Sequence, residues 1–145
     1  MDYTNTVREA VKFIHNHYRE NITVADIAGQ AYLSPSYFSA VFRRLTGYTV
    51  KDYLLKYRLY MTAVELRDTK KQIFTVSLEN GFASQQAFTK SFTQEFGFTP
   101  ARFRRLDLYA REPSRDPMDE KFISPGCGEF SKACILFKKM LSLWK

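Results

Sequence analysis

The chain has 145 residues, 45% of them hydrophobic and 26% charged, with 22 Lys and Arg against 15 Asp and Glu for a formal net charge of +7. That length excludes a large multi-domain enzyme and fits one compact domain or two small lobes, and 13 Phe and 9 Tyr supply ample core for small helical lobes. The basic balance favours a polyanionic partner; no early apolar run reads as a signal peptide and no stretch approaches ~18 apolar residues, so a cytoplasmic location without a membrane partner is expected.

The first helix is expected over about 4–20, where Val7, Val11, Ile14 and Tyr18 make one apolar stripe. His15 and His17 are too close in sequence to share a helix face as a ligand pair, and Cys127 and Cys134 form neither a disulfide framework nor a zinc pair. Neither a metal nor a cofactor is therefore expected. Thr23 reads as an N-cap with Asp26 at the third position, an acidic variant of the capping box, opening a short helix that buries Val24, Ile27, Ala28 and Ala31.

Ser34-Pro35 restarts the chain as a helix. This helix, 35–46, buries Phe38, Val41, Phe42 and Leu45 and stops at Gly47. Thr49 caps a long helix over 50–68 whose apolar residues are too many for a single face, as a helix held between two lobes would need. After the polar break 68–72 the pattern repeats: a short helix over 73–80, a turn at Gly81, a Ser84-capped helix to about 96, Gly97, and a last helix opened by Thr99-Pro100. Residues 109–129 hold three Pro and two Gly among many charges and read as a linker. The segment 130–145 is apolar again, with Phe130, Cys134, Phe137, Leu141 and Trp144 at heptad-like spacing.

The second half repeats the first. SPSYFSAVFRRLTGYTV at 34–50 and SQQAFTKSFTQEFGFTP at 84–100 align at an offset of 50, which pairs Ser34 with Ser84, Phe38 with Phe88, Phe42 with Phe92 and Gly47 with Gly97. Short helix, tight turn and second helix, written twice, is the pattern of two helix-turn-helix units. The fold class expected is all-α: about seven helices in two helix-turn-helix lobes joined by a long linker helix, with a C-terminal tail.

If the apolar residues of the two second helices point inward, Ser36, Ser39, Ala40, Arg43 and Arg44 point out from the first. Gln85, Gln86, Thr89, Lys90 and Thr93 point out from the second. Gln pairs bidentately with adenine, Lys donates to guanine, and a Thr methyl meets that of thymine, so the second set suits a major groove. The first set is small and neutral near its start, which implies close approach with little hydrogen-bond discrimination. Gln, Ser, Thr and Lys on a helix are more often an ordinary solvated face. The recurrence of acid-free polar faces at matched positions argues otherwise, since phosphates repel carboxylates. The helix starts at Ser34, Ser84 and Thr99 offer backbone N–H groups to phosphates, with Arg43, Arg44, Arg102, Arg104 and Arg105 as cationic candidates. Arg58 has the competing reading of an internal ion pair. No nucleophile–base pair, phosphate loop or dinucleotide fingerprint is present, so no enzyme activity is expected.

These motifs resemble a known family. GFASQQAFTKSFTQEFGFTPARFRR at 81–105, LSPSYFSAVFRRLTG at 33–47 and YLLKYRL at 53–59 are similar to the second motif, first recognition helix and linker helix of AraC/XylS-type transcriptional regulators. The resemblance covers about residues 7–106, with the DNA-binding domain over 1–107, and leaves 108–145 as a linker and short amphipathic tail. It implies a seven-helix protein that binds double-stranded promoter DNA, mostly as an activator in contact with RNA polymerase, and in some branches as a monomer. Carried over by position, its base-reading sites fall on Ser36, Ser39 and Ala40, and on Gln85, Gln86 and Lys90. Ser77 departs from the small apolar residue usual there, which predicts a looser second lobe, and Thr75 from a common acid. Relatives with this domain order continue into a β-rich ligand-binding domain, for which 38 residues are too few. The alternatives are a truncated or degenerate paralogue that binds DNA non-specifically or binds protein, and a small-molecule sensor.

Overall fold

The structure is a computed structural model, and it describes residues 2–109. The expected linker and apolar tail segment, with Cys127 and Cys134, lie outside the described residues. The described residues form seven helices and no strand: α1 (Thr4–His17), α2 (Val24–Gln30), α3 (Pro35–Thr46), α4 (Val50–Asp68), α5 (Ile73–Glu79), α6 (Gln85–Phe96) and α7 (Pro100–Tyr109). They divide into two compact units, with the boundary inside α4 between Arg58 and Leu59.

In the first unit the stripe of α1 buries Val7, Ala10, Val11 and Ile14. These meet Ile27 and Ala28 of α2, Phe38, Val41 and Phe42 of α3, and Val50, Tyr53 and Leu54 of α4 in one buried set. Val24, Ala31 and Leu45, expected inside, are half-buried at its margin. The helix starts are fixed locally. The Thr23 hydroxyl accepts from the Asp26 N–H at 3.2 Å while the Asp26 carboxylate accepts from the Thr23 N–H at 2.8 Å, a complete capping box.

Helix α1 stops at His17 rather than near residue 20. The reason lies 40 residues on. Arg58 of α4 donates through Nε to the Tyr18 carbonyl at 2.7 Å and through Nη2 to the Glu20 carbonyl at 2.8 Å. These carbonyls would otherwise be left over at a helix end. Arg58 is thus structural, as its competing reading had it, but its partners are backbone carbonyls and not a carboxylate.

The second unit repeats the scheme around Leu59, Ala63, Leu66, Val76, Phe88, Phe92, Phe96 and Phe103. Its aromatic rings meet in series at steep angles, Phe88 tilted against Phe92, and Phe92 edge-on to both Phe96 and Phe103, with centroids 4.6 to 5.5 Å apart. Ser77 is completely buried, and its hydroxyl donates to the Phe74 carbonyl at 2.7 Å. The departure from an apolar residue therefore leaves no unpaired hydroxyl in this core.

Candidate nucleic-acid interface

Helices α3 and α6 are built alike, each of 12 residues. The Ser34 hydroxyl accepts from the Tyr37 N–H at 3.3 Å, and the Ser84 hydroxyl from the Ala87 N–H at 3.1 Å. Each ends on a left-handed glycine, Gly47 at φ 81° and Gly97 at φ 78°, whose N–H returns to a carbonyl one turn back. The cap and the stop, set by residue type alone, hold both helices to the same length and leave their outer faces to be chosen freely.

On α3, Ser36 and Ala40 are exposed with Arg43 and Arg44 beyond them, while Ser39 is half-buried. On α6, Gln85, Gln86 and Lys90 are exposed and Thr89 is half-buried. Together with Ser84, Thr93 and Gln94 the α6 residues line one open surface depression. The Thr93 hydroxyl donates to the Thr89 carbonyl at 2.7 Å, so its methyl and an accepting oxygen are left to meet a partner. Neither helix has an acid in its first turn.

The caps consume some of the N–H groups expected to face an anion. In α3 the first helical residue is Pro35 and the third N–H goes to Ser34, which leaves that of Ser36. In α6 those of Gln85 and Gln86 remain. At α7 the Thr99 hydroxyl accepts from the Arg102 N–H at 3.2 Å, and Pro100 brings none. Thr99, Arg102 and Arg105 are exposed, and the Arg102 guanidinium lies over the Phe98 ring at 5.3 Å.

Arg104 differs from its neighbours. It is half-buried, and its Nε donates to the Leu66 carbonyl at 3.0 Å. Burial lowers the pKa of its guanidinium, as it does for Arg58. Arg104 fastens α7 to the end of α4, as Arg58 fastens α4 to the end of α1.

Sequence reasoning passed over one pair. Tyr37 of α3 donates from its hydroxyl to that of Tyr3 at 3.3 Å. No local pattern joins residues 34 apart, although an exposed aromatic on a helix of otherwise small outer residues was the available signal. Among the described residues no group of His, Cys, Asp and Glu could hold a metal ion, and no helix is long and apolar enough to cross a membrane.

A helix-turn-helix domain model matches residues 27–106. The chain is 34% identical over 110 residues to the transposon Tn10 TetD protein of Escherichia coli, covering 76% of this chain and 80% of that protein. It is 31% identical over 104 residues to the regulatory protein SoxS of E. coli K12, covering 72% of this chain and 97% of SoxS. Among solved structures, the DNA-binding domain of AdpA, a global transcriptional factor, in complex with a target DNA matches with a TM-score of 0.69 at 28% identity, covering 75% of this chain and 97% of that one. An AraC-type transcriptional regulator from Chromobacterium violaceum matches with a TM-score of 0.68 at 26% identity, covering 71% and 92%. SoxS is a regulatory protein and AdpA a transcriptional factor, and the chain belongs to the AraC-type family of helix-turn-helix, DNA-binding transcriptional regulators.

Proposed function

We propose that this chain is a sequence-specific reader of double-stranded promoter DNA, in which α3 and α6 enter successive major grooves of an asymmetric site and α6 supplies most of the selectivity. The observation that carries the reading is the outer face of α6. Gln85, Gln86 and Lys90 stand exposed and clear of acids at the start of a capped helix, and these side chains discriminate base edges by bidentate and charge-assisted hydrogen bonds. Ser36, Ser39 and Ala40 read by close contact. Ser34, Ser84, Thr99, Arg43, Arg44, Arg102 and Arg105 hold the backbone. Residues 1–107 form the DNA-binding domain, and 108–145 a linker and amphipathic tail.

Both units belong to one chain, so a monomer suffices for a two-part site. The protein acts in the cytoplasm as an activator in contact with RNA polymerase, in keeping with the regulators it resembles. Selection from a randomised ~25 bp duplex pool at physiological salt tests this. The expected product is an asymmetric motif with two blocks roughly one helical turn apart. The small, neutral face of α3 favours one rival, a degenerate relative in which only α6 reads. A single enriched block would establish that rival, and no enrichment despite salt-sensitive binding would leave a non-specific or protein-binding role.

A further inference from the structure

One side of α3 carries a feature that α6 lacks. On a helical wheel of about 100° per residue, Ser36 and Ala40 lie near the centre of the outer face, whereas Tyr37 and Arg44 lie on one flank, about 20° apart around the axis and about 10 Å apart along it. The matched positions of α6 hold Ala87 and Gln94. Tyr37 is 48% exposed. Its ring meets that of Tyr3 edge-on, with centroids 5.7 Å apart, and its hydroxyl donates to the Tyr3 hydroxyl.

One bond between two hydroxyls uses one of their two protons and leaves the other for a further acceptor. A phenol keeps its proton at neutral pH, and Arg44 stands near enough for its charge to act on the Tyr3 hydroxyl. The closest acid in sequence, Asp2, is turned to another task. Its carboxylate accepts from the hydroxyl and the N–H of Thr4, which with nearby Arg8 hold it below the usual carboxylate range.

We propose that Tyr3, Tyr37 and Arg44 form a clamp for one DNA backbone phosphate beside the groove that α3 enters. Two phenols in series and a guanidinium, on the flank of a helix that faces a groove, suit a tetrahedral anion at the groove's edge better than a base edge. The clamp also suits the small face of α3: the first unit holds the backbone, sets register and reads by close contact, and the second supplies most of the selectivity. This inference rests on the DNA-reading function proposed above.

The test uses the full chain carrying Tyr3→Phe and Tyr37→Phe together, which keeps both rings and removes both hydroxyls. Affinity is measured on the selected site and on random duplex, with single methylphosphonate substitutions scanned along the site. The expected result is a loss of roughly five- to tenfold on both duplexes alike. One methylphosphonate position should weaken the parent chain but not weaken the double variant further. Unchanged affinity of the double variant, or a loss confined to the selected site, would overturn the clamp. Gln85→Ala separates the two claims: if it abolishes preference while the double variant binds as the parent does, DNA reading stands and the clamp falls. A parent chain without sequence preference removes the underlying reading, and the clamp then stands or falls on the double variant's loss on random duplex.

Discussion

Tyr32 and Gly81 stand at the same step of two equivalent turns. The Tyr32 N–H bonds the Gly29 carbonyl and the next N–H, of Leu33, bonds that of Ala28, both at 3.2 Å. The Gly81 N–H bonds the Leu78 carbonyl at 3.3 Å and that of Phe82 bonds the Ser77 carbonyl at 3.1 Å. Both are Schellman closures, which need a left-handed residue after the cap, and the two residues supply φ 57° and 92°. The offset between the repeats is therefore 49 up to this turn. It becomes 50 only because the second turn holds one more residue, Ala83, before its serine cap.

A tyrosine at that step is strained, since its Cβ crowds the backbone where glycine has none. Tyr32 is also 96% exposed, so its side chain returns little packing. Tyr32→Gly should stabilise the protein by about 0.5–1 kcal/mol, read as a raised midpoint in urea with an unchanged slope. Gly47→Ala should do the reverse. A Cβ there meets nothing within 4 Å, yet φ is +81°, so the expected loss of about 1 kcal/mol is backbone strain without a clash. A destabilised Tyr32→Gly variant would show that the exposed ring holds a contact of its own.

Arg58 makes a different kind of claim on stability. Its two donated bonds satisfy the carbonyls of Tyr18 and Glu20, and hydrogen bonds from a charged donor are worth more than neutral ones. Arg58→Met should cost about 2–3 kcal/mol by denaturant unfolding. Arg58→Lys should recover only part of this, because an ammonium cannot reach both carbonyls with a planar fork. Since both partners are backbone carbonyls, the cost should be the same at pH 4.5 and pH 7. A cost that shrinks in acid would instead place a carboxylate in the interaction.

Much of this fold is local in origin, and so was legible. Ser34 with Gly47, Thr49, and Ser84 with Gly97 set the bounds of α3, α4 and α6 as expected, because caps act within a turn of the residues that make them. The end of α1 was not legible, because the carbonyls just beyond it, of Tyr18 and Glu20, are taken by Arg58, far along the chain. The partner of Arg104 and the Tyr3–Tyr37 pair were hidden for the same reason: a carbonyl or a phenol offers no periodicity to mark it. At the candidate interface the polar faces could be read from helix phase. Which of the arginines had been claimed by the fold could not.

Tyr53 supplies a pH dependence of fixed sign. It is completely buried, and its hydroxyl lies 2.7 Å from Nε2 of His15. Burial first, and then the neighbouring Tyr57, raise its pKa well above 10. A phenol that stays protonated in the folded state but ionises near pH 10 in the unfolded chain contributes stability that is complete below pH 10 and is lost as pH rises above it. Unfolding should therefore steepen above pH 10. Tyr53→Phe should flatten that limb while costing about 1 kcal/mol at pH 7, where the His15 bond is lost. An alkaline limb that survives in Tyr53→Phe would assign it to other groups, with Tyr57, also raised by burial, first among them.

The proposed division between reading and holding predicts two classes of binding variant. Gln85→Ala and Lys90→Ala should each lower affinity for the preferred site by about 1–3 kcal/mol, with little change on random duplex. Arg105→Ala should weaken all sequences alike and reduce the slope of log affinity against log salt by about one, since one phosphate contact releases close to one counterion. Arg104→Ala is the discriminating case. Its Nε is held by the Leu66 carbonyl, so its removal should lower thermal stability, and the salt slope measured well below the melting transition should stay where it was. A slope that falls with Arg104 as it does with Arg105 would return Arg104 to the backbone-holding set and show that a half-buried guanidinium can serve the fold and the phosphate at once.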